Sequence, residues 1–274
     1  RSPSRGLGDV YKRQDWWYVE NGRITFHCNG LVRGLVNGND TWWYVTGSKV
    51  NFCNTVASNA WGWWKITNGR VDFDFSGLAE NAYGWWKITN GQVDFSYVGY
   101  EQSGSNWWYV YGGQVCFQAT DVLPGTVGGQ YGWWKVCEGK VNFDDDVCEN
   151  AYGWWKITTG KVDFQYTGLA QNACGWWMIQ NGHVNFGSNG LVDNGNGWWL
   201  VRNGCVDFTY NGLVDNGNGW WLIRNGYVDF DYNGLVDNGN GWWLVKNGCV
   251  DFSYQGYVQN ECGVWWVSNG QVQF

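Results

Sequence analysis

The chain has one Met, two Pro and two His in 274 residues, and only 15% of it is charged. Ala and Leu do not stand in runs at helical spacing, which excludes an all-helical protein. No stretch approaches ~20 consecutive apolar residues, so no helical membrane span is expected. A net charge of −7 argues against a nucleic-acid partner. His27 and His183 complete no catalytic triad, and no nucleophile motif or phosphate loop is present. The carboxylates that recur at the position of Asp72 repeat with the scaffold. No pair of the kind a glycosidase holds about 5–10 Å apart stands out. The chain reads as a non-enzyme without a cofactor. Nine Cys lie at mixed positions with no Cys-x-x-Cys, so neither a zinc site nor a regular disulfide framework is expected. Asp193-Asn194-Gly195-Asn196-Gly197 looks like a fragment of a calcium loop, but Gly204 stands where a closing Glu is needed, so it reads as a turn and no metal site is expected.

What is abundant is Trp (25) and Gly (42). Trp-Trp begins at positions 16, 42, 63, 85, 107, 133, 154, 176, 198, 220 and 242, and Val264-Trp265 is a twelfth, altered copy. A Phe follows the second Trp of each copy by nine residues, from Phe26 to Phe274. The common step is 22 residues, and the uneven steps of the first four copies recur 91 residues later, so residues 16–197 read as a duplicated four-copy block. Ahead of the array, Ser4 to Gln14 (SRGLGDVYKRQ) resembles a translated transposon-type sequencing adapter. Residues 1–14 therefore read as non-native, with the natural N-terminus and any upstream domain missing. They carry four basic residues and one acid, which leaves residues 15–274 at net −10. Residues 15–274 read as one array of twelve copies.

Each copy predicts a β-hairpin. Asn-Gly occupies the centre of eight of them, and this pair suits a type I′ turn, which needs positive φ at both central residues. Glu138-Gly139, Thr159-Gly160, Gly112-Gly113 and Gly47-Ser48 stand in for it elsewhere. A two-residue turn at Asn203-Gly204 pairs Arg202 with Cys205, Val201 with Val206, Leu200 with Asp207 and Trp199 with Phe208. Trp199, Val201, Val206 and Phe208 then form the buried face. Trp198, Leu200, Arg202, Cys205 and Asp207 form the other, and Tyr210 is expected to cover Gly197. Lys65, Lys87 and Lys156 are expected to pair with Asp72, Asp94 and Asp163. A lone hairpin is marginal in water, so the fold class expected is an all-β solenoid of about twelve tandem hairpins.

The pattern Gly-Trp-Trp-x-Ile/Val-x-Asn-Gly-x-Val-Asp-Phe-x-Tyr-x-Gly, as at 84–99 and 197–212, resembles the choline-binding and glucan-binding cell-wall repeats of bacterial surface proteins. The resemblance covers residues 15–274. It implies an extracellular protein held non-covalently on a cell-wall polymer or other polysaccharide, choline-bearing teichoic acid included. It also implies ligand sites made of aromatics from consecutive hairpins. The candidate aromatic platform is Trp63, Trp85, Trp154, Trp176, Trp198, Trp220 and Trp242 with Tyr210 and Tyr232, since flat rings suit sugars and cations. Lys65, Lys87, Lys135 and Lys156 beside the first Trp would repel a quaternary ammonium and favour a neutral glycan or a phosphate-bearing polymer. Leu200, Leu222 and Leu244 remove that repulsion in later copies. The alternative is a structural or adhesive stalk whose first Trp only packs repeat against repeat.

Overall fold

A computed structural model describes residues 15–274; the adapter-like segment lies outside the described residues. Strands, turns and bends make up the described chain, and no helix forms among these residues. The chain divides into two units. One runs through Thr120 and includes Pro124–Tyr131 and Val136–Val141; the other comprises Asp121–Leu123, Gly132–Lys135 and Asn142–Phe274. Each unit is a solenoid-like stack of antiparallel hairpins, and its pairing passes from hairpin to hairpin without closing into a barrel.

One repeat of the second unit shows the plan. A connecting strand Gly212–Asp215 lies against a Trp strand Trp220–Arg224, with Leu213 opposite Leu222 and Asp215 opposite Trp220. The chain then turns at Asn225-Gly226 into a return strand of two residues, Tyr227–Val228, and Ile223 faces Val228. The free half of the Trp strand's second edge is taken by the following repeat, whose Cys249 sits opposite Trp221. The same arrangement recurs in the first unit, where Trp64 is opposite Gln92 and Trp86 opposite Gln114. All twelve expected turns have positive φ at both residues, including Gly47-Ser48, Glu138-Gly139 and Thr159-Gly160.

The turn glycine joins the repeats. The Gly226 carbonyl accepts the N–H of Leu200 at 2.8 Å, and its N–H donates to Tyr210 O at 3.1 Å. Lys65 donates likewise to Gly91 in the first unit, and Lys156 to Gly182 in the second, both at 2.8 Å. A Cβ on Gly226 would come within 2.5 Å of Asp207 O, so the position needs Gly for space as well as for its φ of 76°.

The longer 26-residue steps also find their cause. The connecting strands Gly30–Val36 and Asp121–Val127 are seven residues long, and each ends in a further tight turn, Asn37-Gly38 and Gly128-Gly129.

The core is a series of small clusters between successive hairpins. The paired Ile/Val positions are sealed, as the repeat pattern requires: Ile66, Ile88, Ile157, Val201 and Ile223 show no exposed surface. Two expectations about faces are corrected. Leu200, Leu222 and Leu244 are buried, because each hairpin's second face is covered by the next hairpin's Ile/Val pair. Phe208 is 42% exposed. The return strand ends after two residues, and Thr209 donates from both N–H and Oγ to Asp207 Oδ1, so the chain bends before Phe208 can reach the core. Phe208 rests edge-on against Trp199 instead, with ring centroids 5.7 Å apart.

Candidate functional site

The exposed Phe is one wall of a recurring aromatic box. In the second unit, Trp198 meets Trp221 of the next hairpin at 5.0 Å and Phe230 at 5.9 Å. Trp220 meets Trp243 at 5.2 Å and Phe252 at 5.9 Å. Trp154 meets Trp177 at 5.1 Å and Phe186 at 6.1 Å. Trp176 departs from this pattern and stacks on Trp199 at 5.8 Å with the ring planes 27° apart. In the first unit, Trp63 meets Trp86 and Phe95, and Trp85 meets Trp108 and Phe117. The first Trp of one hairpin therefore faces the second Trp and the Phe of the next.

A fourth wall comes from the tip of the connecting segment in some repeats. Tyr83 reaches Trp63 at 6.1 Å, and Tyr152 reaches Trp133 at 5.4 Å. Trp42, Trp61, Trp64 and Phe73 line a cavity of about 410 Å³ with Asn59 and Val71. Trp242, Trp265 and Phe274 line one of about 240 Å³ with Leu235, Cys262 and Val272. Such linings, mostly ring faces and aliphatic side chains beside Asn59 in one and Cys262 in the other, suit a compact apolar or cationic group.

The second Trp is fixed by an Asn five residues before it. Asn81 Oδ1 accepts both Trp86 Nε1 and the Tyr83 N–H at 2.9 Å, while its Nδ2 donates to Val56 O. Asn150 and Asn172 hold Trp155 and Trp177 the same way. In the three near-identical copies Asn216 and its counterparts cap the Asn-Gly-Asn turn, and the indole N–H groups of Trp199, Trp221 and Trp243 have no partner. Those connectors carry Asn196, Asn218 and Asn240 at the tip, so their boxes have three aromatic walls rather than four.

All seven Trp of the expected platform thus stand half-buried at hairpin junctions. Tyr210 and Tyr232 stand elsewhere. Each packs on the core cluster beneath an arginine, with Arg202 4.3 Å from the Tyr210 ring and Arg224 4.5 Å from the Tyr232 ring. The Tyr210 hydroxyl donates to Leu213 O. Gly197 is covered not by Tyr210 but by Tyr227 of the next hairpin, because the return strand of that hairpin crosses it.

The lysines occupy the place of the buried leucines, and their expected partners are corrected. Lys87 pairs with Glu101 at 2.8 Å, Lys135 with Asp146 at 2.7 Å and Lys156 with Asp145 at 3.4 Å. Asp94 and Asp163 instead cap the bends that follow them, accepting from the N–H of Ser96 and Gln165. Lys65 donates to Ile66 O and lies over the Phe75 ring, and burial pushes its amine below the usual lysine value against the pull of Asp72. None of these lysines lines either of these two boxes, although Lys65 lines a neighbouring cleft with Phe75 and Trp85. The nine cysteines are free thiols.

Stacked hairpins whose junctions hold aromatic boxes define a class of tandem-repeat binding scaffold. A family model described as choline-binding repeat matches residues 15–25, 33–51, 74–94, 165–185, 187–207, 209–229 and 231–251. The chain belongs to this choline-binding-like repeat family. Among solved structures, CbpF in complex with ipratropium is similar at 15% identity over 92% of each chain, with a TM-score of 0.32. Alternansucrase in complex with isomaltononaose is similar at 13% identity over 90% of this chain, which spans 19% of that one, with a TM-score of 0.27. No curated protein matches the chain in sequence.

The sequence reading missed the second Trp and the Phe as box walls. The signal was present: both recur in every hairpin, apart from the core periodicity of the Ile/Val pair.

Proposed function

We propose that the array is a non-catalytic cell-wall-binding module whose boxes hold the quaternary ammonium of choline carried on a wall polymer, and that it anchors an exported bacterial protein at the cell surface. The box of Trp42, Trp61, Trp64 and Phe73 carries this reading. Ring faces attract a cation through their quadrupole, most strongly when the site is desolvated, and a trimethylammonium group has no N–H that would demand an acceptor. Neutral sugar also stacks on Trp, but stacking suits an open platform better than a box walled on three or four sides. Three of the four lysines that would have opposed a cation, Lys87, Lys135 and Lys156, are engaged by Glu101, Asp146 and Asp145, and Lys65 turns its amine to Ile66 O. Repetition supplies avidity: several weak boxes on one chain, meeting a polymer with many choline groups, bind far more tightly than one. No helix among the described residues is long and apolar enough to cross a membrane, and attachment through polymer needs none.

The test is retention of the full chain on cell walls bearing choline-decorated teichoic acid, beside walls grown with the choline replaced by ethanolamine. Retention only on the first, with release by free choline, is expected. Equal retention on both, or retention that choline does not release, points to a glycan and rejects the choline reading.

A further inference from the structure

The residue after each turn glycine belongs to one hairpin but lies across the previous one. Gln114 sits opposite Trp86 and passes over Gly84, where any Cβ would collide with its amide. Its Nε2 donates to the carbonyl of Tyr83 at 2.9 Å. Gln92 does the same one repeat earlier, passing over Gly62 and donating to Trp61 O at 3.1 Å. These carbonyls belong to the tip residues that form the fourth wall of the boxes.

The tip needs such a hold. Tyr83 is 75% exposed and Trp61 77%, so little packing fixes either ring. Asn81 pins the N–H of Tyr83 and Gln114 pins its carbonyl, which secures the tip backbone from both sides. Gln114 also lines the cleft of about 720 Å³ that contains Trp63, Tyr83 and Trp86. The position recurs: Gln271 lies over Gly241, and Tyr227 donates its hydroxyl to Asn196 O at 3.4 Å, but the tips there are Asn240 and Asn196 and give no ring; other repeats fill it differently. Cys205 and Cys249 are too short to cross to the tip, and His183 stands edge-on to Trp155 at 4.9 Å.

We propose that Gln114 and Gln92 are positioning residues that set the ligand affinity of the box behind them by holding Tyr83 and Trp61 in place. Each such box is then a device of three hairpins: one gives the first Trp, the second gives the other Trp, the Phe and the tip, and the third gives the brace. The proposal rests on the choline reading above and adds that affinity differs between boxes according to a residue 31 positions downstream of the tip.

The experiment uses the full chain labelled with 3-fluorotyrosine, with the Tyr83 signal assigned by Tyr83→Phe and choline chloride as probe. Gln114→Met keeps the length of the side chain and its cover over Gly84 but removes the donor. In the ligand-free variant, the Tyr83 signal is expected to shift toward that of a freely rotating ring, and the Tyr152 signal to stay in place. Choline read at Tyr83 is expected to bind about 2- to 10-fold more weakly, the ratio that one lost hydrogen bond supplies, with binding read at Tyr152 unchanged. A Gln114→Met chain with the wild-type Tyr83 signal and the wild-type choline affinity there overturns the proposal. A wild-type Tyr83 signal that ignores choline overturns the ligand reading and the affinity role with it, while the ligand-free shift still decides the positioning.

Discussion

Replacing Gly226 with Ala separates two demands that the turn makes on its second residue. Its φ of 76° costs an Ala about 1–2 kcal/mol. The added methyl would also lie 2.5 Å from Asp207 O and 3.0 Å from the Phe208 Cα, both backbone atoms of the previous hairpin that cannot rotate away. The hairpins must part. That weakens the bonds from Leu200 N–H to Gly226 O and from Gly226 N–H to Tyr210 O, worth about 0.5–1.5 kcal/mol each. The expected total is about 2–5 kcal/mol. Gly217 is the control: its φ is 84°, but a Cβ there meets open space, so Gly217→Ala costs only the backbone term of about 1–2 kcal/mol. Urea denaturation followed by Trp fluorescence, with hydrogen exchange at Leu200 N–H as the local probe, reads both variants. Gly226→Ala should expose Leu200 N–H to faster exchange and Gly217→Ala should not. Equal losses of stability, with equal exchange at Leu200, would refute the claim that the turn glycine joins the hairpins.

Three further outcomes follow from the same geometry. Lys65→Leu installs the solution used at Leu200 and removes an amine that burial already holds below its usual value; the midpoint of urea denaturation should rise rather than fall. Phe230→Ala removes a wall of the Trp198–Trp221 box and should reduce the number of choline sites in a calorimetric titration by one, whereas Tyr232→Ala should lower stability and leave that number unchanged. Asp207 and Asp251 are held below the ordinary 3.8, first by the hydroxyls of Thr209 and Ser253 respectively. A depressed folded-state value means stability present above 3.8 and lost as pH falls from there toward the folded values, so the double variant Thr209→Ala, Ser253→Ala should lose less stability than wild type between pH 4 and 2, read by thermal melts.

The parts of the fold that were legible are those set within one hairpin. Asn203-Gly204 announces its turn, the turn fixes register, and register puts Val201 opposite Val206 and both inside. What was not legible is set between hairpins. Leu200 looked solvent-facing because a hairpin taken alone has one face to bury; in a stack it has two, and Ile223 and Val228 of the next copy close over it. Phe208 looked buried because the ladder was extended two residues too far, past the bend that Asp207 caps. The boxes fall in the same class. Trp198 was visible as a candidate, but its partners Trp221 and Phe230 lie in the following copy, and no spacing within a repeat states how far one hairpin rotates on the next. The first Gly of Gly-Trp-Trp was read as covered by its own hairpin's Tyr210; that the cover comes from the next hairpin, as Tyr227, Gln92 or Gln114, needed the structure.

The central claim is that the boxes select a cation, and a paired titration tests it most directly. The full chain is titrated calorimetrically with choline and with 3,3-dimethylbutan-1-ol, which has the same shape with carbon in place of the charged nitrogen. Cation–π attraction in these partly open boxes predicts saturable choline binding at more than one site per chain, and binding of the neutral alcohol weaker by about threefold or more. Equal affinity for the two, or no saturable choline binding, would contradict the account.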